Sequence, residues 1–314
     1  MPARDVQQHS STPLKEHLPP LFSVIIPTYN RTKPLRRCLE TLAQGYPDGR
    51  FEIIVVDDGS NPPVDPGEGG WPVQLVVLRQ TNQGPSAARN SGARRARGTY
   101  LIFLDDDCQV LSGWFEAIER AVGAAAPRTM FGGKIVNSDE NNLCSEVSEV
   151  FIRIILERHR PRPGGLYFFR STNMIVPRDE FLRMGGFDER FRASEDREFC
   201  DRWQAGAGSF QYVPDAVAIH RSELTVRAFA RQHFAYGRGA WHFHQARFSR
   251  KSSRIGFDML KYYAQVIREV VRPRRGVVAV RIGLLALWQA MNVCGFVCAL
   301  LDDVRGSRVR TRPI

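Results

Sequence analysis

The stretch 101-LIFLDDDCQV-110 runs four apolar residues directly into three consecutive aspartates. A charge-free β-rich run of this kind reads as a buried strand, and like charges at its end repel one another unless something compensates them. Side chains alternate along a strand, so Asp105 and Asp107 are expected to share one direction and Asp106 to take the other. Two carboxylates side by side make a hard oxygen site suited to Mg²⁺ or Mn²⁺, which would remove the repulsion.

The neighbouring sequence repeats the strand-then-acid pattern. 22-FSVIIPTY-29, 51-FEIIVVDDGS-60 and 73-VQLVVLR-79 read as further strands, and Asp57 and Asp58 close the second of these. Between them, 32-TKPLRRCLETLAQ-44 places Leu35, Cys38, Leu39 and Leu42 at helical spacing after an early Pro34. 85-PSAARNSGARRA-96 and 112-SGWFEAIERAVGA-124 read as helices, the second with Ser112 as its N-cap. Apolar strands alternating with helices predict an α/β fold, a mostly parallel Rossmann-like sheet with helices on both faces. Ligands of such sheets bind beyond the carboxyl ends of the strands, where both acid clusters fall.

Farther on, 166-LYFFRSTNMIVP-177 and 210-FQYVPDAVAIH-220 read as strands. 178-RDEFLRMGGFDE-189 reads as a short helix ending at a Gly-Gly turn, and 195-EDREFCDRWQAG-206 as a helix whose two leading acids suit its positive end. Trp203 reads as a packing residue rather than a sugar platform.

The six cysteines form no Cys-x-x-Cys pair, which predicts reduced thiols in a cytoplasmic setting. The N-terminal residues 1–20 are polar and proline-rich without an apolar core, so they read as a disordered lead-in and not a secretory signal. The net charge of +11 is uneven: residues 221–314 hold 18 Lys+Arg and 5 Asp+Glu, a net of +13. This C-terminal region reads as a basic helical appendage. Within it, residues 282–301 carry no formal charge over a length that suffices to cross a hydrocarbon core, and arginines stand on both sides. Residues 277–301 are therefore a candidate membrane-associated segment, as a span, as an interfacial helix or as a helix packed on its neighbours, with an anionic lipid surface as partner. Nucleic acid is the competing partner for such charge, but no helix-turn-helix, RNP or zinc pattern supports it.

Six motifs in order, 23-SVIIPTYNR-31, 54-IVVDDGS-60, 82-NQGPSAARNSG-92, 98-GTYLIFLDDD-107, 185-GGFDE-189 and 195-ED-196, resemble those of the family 2 glycosyltransferases. These are inverting nucleotide-sugar transferases of the GT-A fold. The resemblance implies a GT-A catalytic domain over residues 21–220, followed by the appendage at 221–314. It implies that Pro27, Thr28 and Tyr29 line a base and ribose pocket, that Asp58 or Asp57 accepts a hydrogen bond from the base, and that Arg89 lies near the phosphates. Asp105 and Asp107 resemble the D-x-D metal ligands, Asp106 would stand close to the ribose or sugar, and His220 would complete the metal shell or simply be hydrogen-bonded at a strand end. Asp196 resembles the catalytic base, with Glu195 positioning the acceptor or starting the helix. The implied partners are a nucleotide-sugar donor and a glycan or lipid-linked acceptor in cell-surface polysaccharide or glycolipid assembly, at the inner face of the cell membrane. A nucleotidyltransferase is the alternative, but 27-PTYNRTKP-34 lacks the Gly-rich basic loop it would need after the first strand. A catalytically inactive binding subunit is the other, and the intact acids at 58, 105, 107 and 196 argue against it.

Overall fold

The computed structural model describes residues 19–44, 50–67, 71, 73–137, 142–158, 167–221, 224–252, 259–271 and 277–310. The lead-in expected over 1–20 falls outside these except for its last two residues.

The first strands form where the sequence is continuously apolar. β1 (Phe22–Thr28) and β2 (Phe51–Asp57) are buried along almost their whole length, β2 pairs in parallel with β3 (Gln74–Arg79), and β1 pairs in parallel with β2 and with β4 (Tyr100–Leu104). Burial on both faces explains why these strands do not alternate. β5 (Cys108–Val110), β6 (Thr129–Asn137), β7 (Asn173–Pro177) and β8 (Ser209–His220) complete an eight-stranded sheet in the order β3-β2-β1-β4-β7-β6-β8-β5. β7 is antiparallel to both β4 and β6, and β5 is antiparallel to β8, whereas β6 and β8 are parallel. The sheet is thus parallel on the β3-β2-β1-β4 side and mixed on the other.

Helices cover both faces. α1 (Thr32–Gln44) and α3 (Trp114–Gly123) pack one face through Leu35, Leu39, Trp114 and Phe115. α2 (Pro85–Arg95), α5 (Arg178–Arg183) and α6 (Glu195–Ala205) pack the other through Ala88, Phe181, Phe199 and Trp203. Trp203 is fully buried and donates its indole N–H to the Ser209 carbonyl at 3.0 Å. α4 (Leu143–Arg158), α7 (Val226–Ser249), α8 (Met259–Val271) and α9 (Val278–Arg310) build a second core around Phe151, Phe229, Tyr262, Val266 and Trp288. α4, inserted between β6 and β7, therefore packs with the basic appendage.

Local expectations fail at three places, each for a local reason. The N-cap of α3 is Gly113 in the left-handed region, φ 82°, and Ser112 makes no cap. The expected strand from 166 contracts to Asn173–Pro177, because Ser171 and Thr172 turn the chain at the sheet edge. The expected strand through Asp107 ends at Leu104, since Asp106 and Asp107 lie in a turn closed by the Cys108 N–H donating to the Asp105 carbonyl at 3.1 Å.

Candidate active site at the carboxyl edge of the sheet

The turn, not strand alternation, is what brings the acids together. One carboxylate oxygen each from Asp105 and Asp107 and one nitrogen of His220 lie within 4.8 Å of one another. His220 reaches them from the end of β8, opposite Cys108 of β5. Asp106 turns the other way, accepting from the Thr28 hydroxyl at 2.7 Å and pairing with Arg31 at 2.9 Å.

Each acid has its own electrostatic setting. Asp105 accepts from Arg89 at 2.6 Å and from the Thr172 hydroxyl at 3.0 Å. Burial pushes Asp106 up to about 7, with Arg31 opposing the rise and Asp107 adding to it. Burial also acts against ionised Asp107, but the nearby His220 imidazole and Arg31 at 2.7 Å outweigh it and hold the carboxyl well below the usual range. Its Oδ1 lies 3.3 Å from His220 Nε2. The 3.3 Å approach is not a formed hydrogen bond, and among the described residues neither this oxygen nor His220 Nδ1 has a hydrogen-bond partner, although both atoms are buried. Two carboxylates, an imidazole and a buried oxygen with free lone pairs fit a divalent cation.

A second acidic pair opens α6. Glu195 is buried and accepts from Arg89 at 2.8 Å and from the Ser171 hydroxyl at 3.3 Å. Burial lifts it to about 7, with Arg89 opposing and Asp196 adding. Asp196 is half-buried and accepts only from backbone, the Arg197 N–H at 2.7 Å and the Ser171 N–H at 3.3 Å. Burial raises its proton affinity and those two N–H groups partly offset the rise. Arg89 is 4 % exposed and spans the two acidic groups, one guanidinium nitrogen on Asp105 and another on Glu195. Arg89, expected near the phosphates, thus joins the Asp105 turn to the start of α6.

Asp57 and Asp58 stand at the same edge but face the protein's own loops. Asp57 accepts from the backbone of Ser60 and Val64. Asp58 accepts from the backbone of Gln83 and Gly84 and from the Gln80 amide, at 2.8–2.9 Å. It thereby shapes the turn into α2, where Gly84 has φ 95°. Pro27 is partly exposed, and Tyr29 presents its ring openly at 48 % exposure. Gly185 and Gly186 both adopt positive φ, and Asn90 of α2 clamps the following segment by bonding both backbone polar groups of Phe187.

Sequence reasoning missed Arg31, Ser171 and Thr172. Arg31 was part of a quoted motif without a role. The two hydroxyl residues sat in a stretch read as a regular strand, so nothing local signalled a turn at the site.

A family model described as glycosyl transferase family 2 matches residues 23–184, just over half of the chain. The chain is 27% identical over 226 residues to the pre-mycofactocin glycosyltransferase of Mycobacterium tuberculosis, an alignment that covers 69% of this chain and 46% of that protein. It is 34% identical over 218 residues to the putative glycosyltransferase EpsH of Bacillus subtilis, covering 66% of this chain and 62% of the relative. The chain thus spans about half to two thirds of the length of these relatives. Its fold is similar to that of the mannosyltransferase PcManGT from Pyrobaculum calidifontis, solved with GDP-Man and Mn²⁺, with TM-score 0.59 and 17% identity over 91% of this chain and 88% of that one. Strand order, acid-lined edge and family match converge: the chain belongs to glycosyltransferase family 2 and has the GT-A fold.

Proposed function

We propose that the protein transfers a sugar from a nucleoside-diphosphate sugar to a hydroxyl of a glycan or lipid-linked acceptor, with inversion at the sugar carbon and dependence on Mg²⁺ or Mn²⁺. The observation that carries the reading is the convergence of Asp105, Asp107 and His220 within 4.8 Å on an edge that Arg89 connects to the acid pair of α6. Asp105, Asp107 and His220 would hold the cation, which when bound offsets the charge on the departing nucleoside diphosphate.

This chain's residues divide the remaining work. Asp196 takes the proton from the acceptor hydroxyl. It is the less buried of the α6 pair, no cation among the described residues forms an ion pair with it, and its raised proton affinity suits a general base. Glu195, held by Arg89 and Ser171, orients that end of the helix. Tyr29 offers an open ring to the base, and Pro27 and Thr28 shape the floor beneath it. Asp58 acts through the 80–84 turn it organises, and Asp57 through the 57–64 loop. Asp106 and Arg31 flank the sugar and phosphate side of the cleft.

The acceptor side faces a membrane. The protein works in the cytoplasm, at the inner face of the cell membrane, where its C-terminal region meets an anionic surface. A mass-spectrometric panel of nucleotide sugars, each incubated with the protein and either Mn²⁺ or chelator, tests the reading. Cation-dependent release of nucleoside diphosphate from one donor is expected, whereas equal release with and without chelator would remove the cation from the reaction.

A further inference from the structure

α9 is long and apolar enough over Val278–Arg305 to cross a membrane, yet only 22% of its most apolar stretch is buried within the protein. A core helix of a soluble domain would be mostly covered. Its covered side is nonetheless specifically built. Gly237 of α7 and Gly295 of α9 bring the two backbones together, and a Cβ on either would overlap the carbonyl of Asn292 or Phe234. Trp288 stacks on Phe151 at 4.1 Å. Three charged side chains of α9 also bond to neighbouring elements of the protein. Arg281 is 2 % exposed and bonds Glu146 and the Val270 carbonyl, Asp302 bonds Arg238, and Asp303 accepts from Trp241.

The opposite face carries none of these groups. Ile282, Ala286, Ala290, Val293, Val297 and Leu301 follow one another at intervals of three and four residues, so they form one stripe on the helix, and all are exposed. At the helical rise the stripe is about 29 Å long. A continuous apolar patch of that size needs an occupant.

We propose that α9 lies in the plane of an anionic lipid surface, with this stripe inserted among the acyl chains and α7 behind it in the protein. The inference deepens the membrane part of the proposed function and rules on its geometry. A spanning α9 would have to abandon the glycine contacts with α7 and draw Arg281 out of its ion pair into hydrocarbon. A second copy of the chain is disfavoured by charge, since pairing two stripes would set two regions of net +13 against each other. That same charge complements anionic headgroups. Arg272, Arg274 and Arg275 precede α9 in sequence, and Arg305, Arg308 and Arg310 end it.

The test is co-sedimentation of the full chain with vesicles of phosphatidylglycerol and phosphatidylcholine, without substrate, so that its result is independent of whether sugar transfer occurs. Binding is expected at low salt, weaker at high salt, and much weaker to pure phosphatidylcholine. The double variant Val293→Glu, Val297→Glu should bind about 100-fold more weakly, because each buried valine contributes roughly tenfold in partition. Both positions are exposed, and an unchanged circular dichroism melt separates lost docking from lost folding. Val280→Glu, exposed but to the side of the stripe, should change binding far less. Three results would overturn the proposal: no binding at low salt, resistance to alkaline carbonate extraction from native membranes, which indicates a span, and a solution dimer that the double variant dissociates.

Discussion

The acid-lined edge of the sheet and the outer face of α9 treat solvent in opposite ways. At the edge, seven ionisable groups crowd together and each is matched by another within the protein: Arg31 with Asp106 and Asp107, Arg89 with Asp105 and Glu195, His220 with Asp107. Along α9 Arg281 is buried in an ion pair, Asp302 and Asp303 bond to α7, and the outer stripe is apolar and exposed. A site that compensates itself is sensitive to any single deletion, because the surviving partner is left buried and unpaired. A face without internal partners is insensitive in isolation and reveals itself only when its external partner is present.

The largest expected effect strikes the edge. Asp196→Asn should lower transfer by about 10²–10⁴-fold while donor binding, measured by calorimetry, stays close to that of the wild type. The pH profile carries the same point with a definite sign. Burial raises the Asp196 proton affinity, so the acid limb of kcat/KM should lie above the ordinary aspartate range, with activity falling as pH drops through it. That limb should vanish in the Asn variant. Retention of more than about a tenth of wild-type turnover would demote Asp196 to a helix-starting acid and move attention to Glu195 or Asp188.

Next comes the cation. Asp107→Ala removes a buried oxygen that has no hydrogen-bond partner among the described residues. The cation-dependent part of nucleoside diphosphate affinity should disappear, whereas identical Mn²⁺ dependence in variant and wild type would place the cation elsewhere.

A smaller effect sharpens the comparison at the junction of the two regions. Arg250→Ala strips a guanidinium from Glu198 and Asp201, both buried in α6, at 2.7 Å each. Arg250 is partly solvent-exposed, so the loss should be about 2 kcal/mol, below the 3–5 kcal/mol of a wholly buried pair. Urea denaturation measures it. Arg31→Ala should act more gently and in the opposite sense. Its side chain is 43 % exposed while it neutralises Asp106 and Asp107, so its removal should tighten Mn²⁺ binding in the absence of nucleotide by roughly threefold, the scale of an exposed ion pair. Weaker Mn²⁺ binding, read by electron paramagnetic resonance, would make Arg31 part of the site's scaffold instead. Smallest of all, Val297→Glu without lipid should leave stability within about 0.5 kcal/mol.

The contrast also explains what the sequence made legible. Continuous apolar runs identified β1, β2, β3 and β4, and the acids at their ends identified the edge, because strand burial and loop chemistry are local signals. The convergence of Asp105 and Asp107 was anticipated, but from strand alternation, whereas a turn after Leu104 produces it. The partners that tune the acids were not legible. Arg89 and Glu195 are 106 residues apart, and nothing near either one announces the other. The role of α4 was hidden for the same reason, since Phe151 meets its stacking partner Trp288 only through the fold. The charge-free block in α9 was visible from composition, but which of its faces is covered depends on two glycines in different helices.

The ion cluster beneath α6 bears on modularity. Glu198 and Asp201 belong to the sheet-bearing part of the chain, yet Arg247 and Arg250, which neutralise them, come from the end of α7. The sheet-bearing part therefore does not end electrically at His220. A chain cut there would leave Asp201 without Arg247 and Arg250 and Glu198 with Arg202 alone, so it would be a destabilised fragment rather than a minimal one. The same holds for chimaeras: an appendage grafted from a relative would have to bring two cations to the same two acids, or the acids would have to be replaced with it. Whatever surface the C-terminal helices serve, exchanging them for others is constrained first by this four-residue lock under the helix that carries the acid pair.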